Sequence, residues 1–128
     1  MIVPISAAED CAAIHTPPDL LQHSPIPIRG FNDHWARYLS ACELEVDAPA
    51  GRLIADTSTA AIEMVLAGLG YAIVLERFAQ QAIRSGQKIR IVGAPKELGQ
   101  AHYLVKTDQS DARQTPVMEF EAWLGRQF

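Results

Sequence analysis

The chain has 128 residues and a mass of 14.0 kDa, which is the size of a single domain. Its 11 basic and 15 acidic residues give a formal net charge of -4, so it has no general positive field to hold a phosphate backbone. No apolar run approaches the roughly 18 residues that span a bilayer, and the first six residues are too short for a secretory signal. We therefore expect a soluble, cytoplasmic domain that contacts neither nucleic acid nor membrane.

The two cysteines, Cys11 and Cys42, are too few for a disulfide scaffold and are expected to be free thiols. Cys11 and His15 have the spacing C-x3-H, but no second close pair of ligands follows, as a zinc module requires. We expect neither a metal nor a cofactor.

The first third of the chain alternates extended segments with helical ones. An apolar strand is predicted at residues 1–6, a turn or short helix at 17–21, and an extended edge segment at 24–28, where two prolines exclude a helix. A helix follows Asn32 or Asp33 as its cap. Its apolar face is formed by Trp35, Tyr38, Leu39 and Cys42.

The central part shows a regular order of strand and helix. The predicted elements are a strand at 52–55, a helix at 60–67, a strand at 71–75, a helix at 77–85 and a strand at 88–92. This order is typical of an α/β domain with a parallel sheet. A further strand is predicted at 101–105, and Pro116 opens a last helix. The apolar face of that helix is formed by Val117, Phe120, Trp123 and Leu124.

Four capping residues, Asp56 to Thr59, stand between the strand at 52–55 and the next helix. One of them is enough to cap the helix, so the surplus indicates a second role. A helix start at the carboxyl end of a parallel strand offers unpaired N–H groups, and hydroxyls beside it can bind a carboxylate or another polar group. The pattern favours a small polar or anionic metabolite. Arg29 or Arg52 would add positive charge if either points to the cleft, but both are expected to be ordinary surface residues and are left outside the predicted site.

No catalytic signature is present. Gly68 and Gly70 close a helix and open a strand, whereas the glycines of a dinucleotide fingerprint follow a strand and open a helix. The chain also lacks G-x-S-x-G, P-loop, H-E-x-x-H and C-x-x-C motifs. We predict that it is not an enzyme.

The central order of elements resembles the effector-binding domain of LysR-type transcriptional regulators. The most specific marks are the turn Ala67-Gly68-Leu69-Gly70 before an apolar strand and the helix end Ser85-Gly86. The resemblance extends over essentially the whole chain, and in detail the chain is similar to the branch of glycine-cleavage activators and β-lactamase regulators.

The resemblance implies a type II periplasmic-binding-protein fold, in which two α/β subdomains clasp a small effector. On this comparison residues 1–6 are a hinge strand and 7–100 are subdomain two with a parallel-rich sheet. Residues 101–107 would be the return hinge strand, and 108–128 a C-terminal helix that packs on subdomain one. The DNA-binding part and most of subdomain one lie outside the 128 residues, as in a fragment or a truncated relative.

The resemblance also implies where an effector would bind. Thr57 and Ser58, Ser6 at the hinge exit and Tyr103 on the return strand are expected to line the cleft from the side of subdomain two.

Three function classes stay open. The order of motifs favours the sensory part of a regulator. A periplasmic solute receptor shares the fold but normally carries an export signal. A small α/β enzyme would need a set of catalytic residues, and the sequence shows none. In the first case the apolar face of the last helix should dock on a second copy or elsewhere on its own chain, so a homo-oligomer is expected.

Overall fold

In the computed structural model the described residues are 1–9, 14–31, 33–44, 53–99 and 114–127. They form three strands, a short 3₁₀ helix and four α-helices. In chain order these are β1 (Ile2–Ala7), the 3₁₀ helix (Pro17–Gln22), α1 (His34–Ser40), α2 (Ser58–Leu66), β2 (Ala72–Leu75), α3 (Glu76–Arg84), β3 (Ile89–Ile91) and α4 (Gln114–Leu124). The α/β class is confirmed. No helix among the described residues has the length and apolarity to cross a membrane.

The sheet has the order β2-β1-β3, and both pairings are antiparallel. Ile5 marks the register, because it pairs with Ala72 on one side and with Ile91 on the other. The predicted parallel-rich sheet is therefore not what the three strands form. β2 and β3 run in the same direction, as expected for strands joined by a helix, but β1 lies between them and runs against both.

Parallel pairing does occur beside β2, as two isolated bridges. Tyr71 bridges Pro25, and Ile28 bridges Ala55. Residues 25–28 thus lie between β2 and the segment that ends at Ala55, and the prediction that they form an edge is wrong. The prolines are tolerated because the N–H donors used here belong to other residues: Ile26 donates to the Tyr71 carbonyl and Arg29 to that of Ala55, both at 2.8 Å.

Alternate residues of β1 contribute to two hydrophobic layers, one on each face of the sheet. Val3 and Ile5 pack with α2 and α3, whereas Ile2 packs with the 3₁₀ helix and α1. All six residues of β1 are buried, so the strand is the centre of the domain. The predicted face of α1 is confirmed for Trp35, Tyr38 and Leu39, and Cys42 is half-buried.

The last helix, α4, differs from the others in its exposure. Val117, Phe120 and Trp123 are each about half exposed, and the rings of Phe120 and Trp123 stack at 5.8 Å. The structure therefore does not show this face docked on its own chain. Docking on a second copy stays a prediction.

Candidate functional site

The capping cluster lies at the start of α2, as predicted. Thr57 is the N-cap, with extended backbone, and its hydroxyl accepts a hydrogen bond from the Ala60 N–H at 3.1 Å. One member of the cluster is thus used for capping. Ser58 is half-buried and Thr59 exposed, and within the described residues no hydrogen bond of either hydroxyl is found.

Asp56 takes part in an ion pair instead of the cap. Its carboxylate lies 2.9 Å from the Nε of Arg29, and both side chains are about three-quarters exposed. Such an exposed pair contributes little to stability. It does show that Arg29, predicted to be an ordinary surface residue, stands beside the capping cluster.

The arrangement brings the ends of two parallel segments together. Ile28 bridges Ala55, so Arg29 and Asp56 both follow the carboxyl end of their segments at one edge of the sheet. This is the edge at which open α/β sheets bind ligands. The unpaired N–H groups and the partial positive charge at the start of α2 face the same region.

Ser6 has a different environment. It lies on β1, is 3% exposed, and its hydroxyl accepts a hydrogen bond from the Arg90 Nε at 3.1 Å. The guanidinium also donates to the Ile14 carbonyl at 2.7 Å. Since Ile5 pairs with Ala72 at the beginning of β2, Ser6 is level with the amino end of that strand, whereas Thr57 follows the carboxyl end of its segment. The structure does not bring Ser6 and Thr57 together.

Several other residues singled out from the sequence lie outside the part of the chain that the structure describes. Tyr103, with the predicted return strand, lies outside the described residues, as do Arg52 and Cys11. In the part that is described, Cys42 is a free thiol and no group of three or more His, Cys, Asp or Glu residues is placed to hold a metal. The assignments of Ser6, Thr57, Ser58 and Tyr103 to an effector site stay predictions.

Sequence reasoning missed a small pocket on the face of the sheet that α1 covers. It is lined by Pro25, Pro27, Phe31, His34, Trp35 and Tyr71, among others. Trp35 donates its indole N–H to the hydroxyl of Tyr71, and both side chains are buried. The spacing of α1 predicted that Trp35 is buried, but nothing local in the sequence indicates that His34 beside it is buried too.

Comparison with known proteins identifies the family. Residues 3–128 match the family model described as the LysR substrate binding domain. The HTH-type transcriptional activator AmpR of Pseudomonas aeruginosa is 32% identical over 119 residues, which cover 91% of this chain and 38% of the relative. The chain thus spans well under half of that protein's length.

Solved structures agree in fold. The effector domain of AmpR from Pseudomonas aeruginosa has a TM-score of 0.74 at 24% identity, covering 98% of this chain and 60% of that one. The AmpR effector-binding domain from Citrobacter freundii has a TM-score of 0.67 at 22% identity, covering 96% and 60%. The effector-binding domain of QuiR, solved with shikimate, has a TM-score of 0.51 at 14% identity, covering 75% and 46%. With the family model matched from residue 3 to the end, the chain belongs to the LysR substrate-binding domain family.

Proposed function

We propose that this chain is the sensory part of a LysR-type transcriptional regulator and binds a small polar or anionic metabolite at the start of α2. The observation that carries the proposal is the capping cluster, because Thr57 is enough to cap the helix and Ser58 is left beside the same N–H groups. The match to the family model supports it. DNA binding belongs to a part of the regulator outside these residues.

Each group at the start of α2 would have its own role in binding the ligand. The N–H groups at the start of α2 and the Ser58 hydroxyl would bind ligand oxygens. The Arg29 side chain, now paired with Asp56, would add a positive charge if a ligand carboxylate displaced that pair. Tyr103 stays a candidate on the return strand. Ser6 stays a candidate only if ligand binding changes its present hydrogen bond to Arg90.

A thermal-shift screen of amino acids, organic acids and cell-wall fragments tests the ligand class. A ligand at free concentration c that binds the folded state stabilises it by RT ln(1 + c/Kd) and so raises the melting temperature, more for a tighter or more concentrated ligand. We expect polar and anionic compounds to give the shifts. Shifts confined to purely apolar compounds would contradict the proposed class.

Substitution separates capping from binding. Thr57→Ala should cost about 1 kcal/mol of unfolding free energy, because the Ala60 N–H loses its partner. Ser58→Ala should leave stability almost unchanged. It should reduce the binding free energy of the ligand found in the screen by about 1 to 3 kcal/mol, since a buried ligand oxygen loses its donor. Thr59→Ala is the matched control, with one hydroxyl removed one residue further along. Equal ligand affinity in the Ser58 and Thr59 variants, measured by calorimetry, would remove Ser58 from the site.

We also propose that the chain self-associates through α4. Its exposed apolar side chains, Val117, Phe120 and Trp123, form a surface of the kind that monomeric proteins cover. Light scattering should show a dimer or larger species that Phe120→Asp converts to monomer. A monomeric wild-type chain at high micromolar concentration would overturn this part of the proposal.

The proposed role in a regulator also implies where the chain is located and whether it is an enzyme. As part of such a regulator it would be cytoplasmic and non-enzymatic. A solute receptor is the alternative with the same fold, and a gene for a membrane permease beside this one would favour it over a regulator.

A further inference from the structure

The pocket beside His34 is separate from the start of α2. It lies between residues 25–28, the beginning of α1 and β2, and none of the residues that line it belongs to the capping cluster. Its space is about 270 Å³ with the open mouth included, and the enclosed part has room for little more than one water-sized group.

The pocket exists because the sheet opens at this point. Pro25 and Tyr71 form a single bridge that does not continue along the strands, and three residues later Ile28 bridges Ala55 on the opposite side. Residues 25–28 therefore leave β2 after one pairing. His34 and Ile73 line the pocket beside this opening, and the Ile73 backbone lies close to the imidazole of His34.

His34 is an unusual residue for such a place. It is 4% exposed, and in the described part of the chain its ring nitrogens make no contact in full hydrogen-bond geometry, although the Ile73 backbone lies close enough to raise its pKa as a weak hydrogen-bond acceptor would. Burial lowers the pKa of His34, although Asp33 and the Ile73 backbone oppose the shift. At neutral pH the ring is therefore uncharged, with one nitrogen that donates and one that accepts.

A buried polar group without a full hydrogen bond costs stability, whereas an apolar side chain of similar size would not. A buried group without a full hydrogen bond needs an explanation, and a ligand that enters the pocket is one that the open mouth allows. The surroundings indicate which ligand. The Phe31 ring lies 4.9 Å from the imidazole and is 42% exposed at the mouth, and two prolines complete an apolar rim.

The pocket offers no charge to an ionic ligand. The charged side chains next to His34 along α1, those of Asp33 and Arg37, pair with each other at 2.6 Å. A carboxylate or an ammonium group would lose its hydration here and gain no oppositely charged partner among these residues. An uncharged hydroxyl loses less hydration and can donate to one ring nitrogen or accept from the other.

We propose that this pocket binds an uncharged, hydroxyl-bearing ring, with the hydroxyl hydrogen-bonded to His34 and the ring lying against Phe31 at the mouth. The proposal does not depend on the function assigned to the start of α2, since it concerns other residues and another ligand chemistry.

Phenol and toluene are the probes, because they share a ring and differ in the hydroxyl. Each is titrated into the 128-residue chain, and binding is followed by NMR at the Trp35 indole N–H and the His34 ring nitrogens. Trp123→Phe assigns the two indole signals. We expect saturable shifts with phenol and at least tenfold weaker binding of toluene.

His34→Leu should reduce phenol binding at least tenfold and bring it to the level of toluene, while the midpoint of urea unfolding stays the same or rises. His23→Gln is the matched control, a histidine outside the pocket lining. Phe31→Ala, at the exposed mouth, should weaken the binding of both phenol and toluene without unfolding the core.

Three results would overturn the proposal. They are an absence of saturable shifts at Trp35 and His34, equal affinities for phenol and toluene, and a His34→Leu variant that binds phenol as the wild type does. A loss of stability in His34→Leu with no probe bound by the wild type would instead assign His34 to the structure of the sheet opening.

Discussion

Gly70→Ala should remove about 2 to 5 kcal/mol of unfolding free energy or prevent folding. Gly70 has a φ of +141°, and a Cβ there would lie 2.1 Å from the carbonyl oxygen of Ser24. That oxygen accepts the Tyr71 N–H at 3.1 Å, so it cannot withdraw without breaking the connection between β2 and residues 25–28. The estimate combines the cost of overpacking, about 1 to 3 kcal/mol, with about 1 to 2 kcal/mol of backbone strain.

Gly86→Ala is the matched control for this change. Gly86 also has a positive φ, +83°, and also follows a helix, but a Cβ there would meet nothing within 4 Å. It should cost about 1 to 2 kcal/mol from backbone strain alone. Urea unfolding of the two variants measures the difference, and equal losses would show that the contact with Ser24 is not what requires glycine at position 70.

Gly68 and Gly70 show which structural features can be predicted from the sequence and which cannot. Gly68 and Gly70 were predicted to close a helix, and the positive φ of Gly68, +72°, confirms a helix end of the usual kind. The signal is local, as is the choice of Thr57 as N-cap. The approach of Gly70 to Ser24 joins residues 46 positions apart, and no local pattern reports it.

The sheet shows the same limit. The alternation of strands and helices predicted β2, α3 and β3, and the structure has them at nearly the predicted bounds. Adjacency of the strands does not follow from that alternation. An apolar strand from elsewhere in the chain fits between β2 and β3, and β1 does so because all six of its residues can be buried.

Only the helix-capping part of the candidate site could be predicted from the sequence, because helix capping depends on residues close together in the chain. Thr57 and Ser58 stand where the pattern put them, whereas the environment of Ser6 depends on Arg90, which reaches it from another strand. His34 escaped notice for a related reason. Its burial follows from the opening between residues 25–28 and β2, which arises only when the sheet is assembled.

Raising the pH from 10 to 12 should remove about 2 kcal/mol of stability through Tyr71 alone. Burial raises the pKa of Tyr71 to about 12 from its ordinary value of 10.0, against a smaller opposite effect of the Trp35 indole N–H. The raised pKa means that the folded state holds the proton more tightly than the unfolded state does. The contribution is therefore complete below pH 10 and is lost as the pH rises to the folded-state value, at about 1.4 kcal/mol per unit.

Tyr38 adds to the same trend, because burial raises the pKa of its hydroxyl as well, and this hydroxyl donates to the Ala94 carbonyl at 3.1 Å. Urea unfolding at pH 8, 10, 11 and 12 measures the combined loss. Tyr71→Phe should be less stable than the wild type at pH 8, since the buried Trp35 N–H loses its acceptor. Its stability should then fall less steeply above pH 10, so that the two curves converge. Parallel curves for wild type and Tyr71→Phe would show that the Tyr71 hydroxyl is ionised as easily in the folded chain as in the unfolded one.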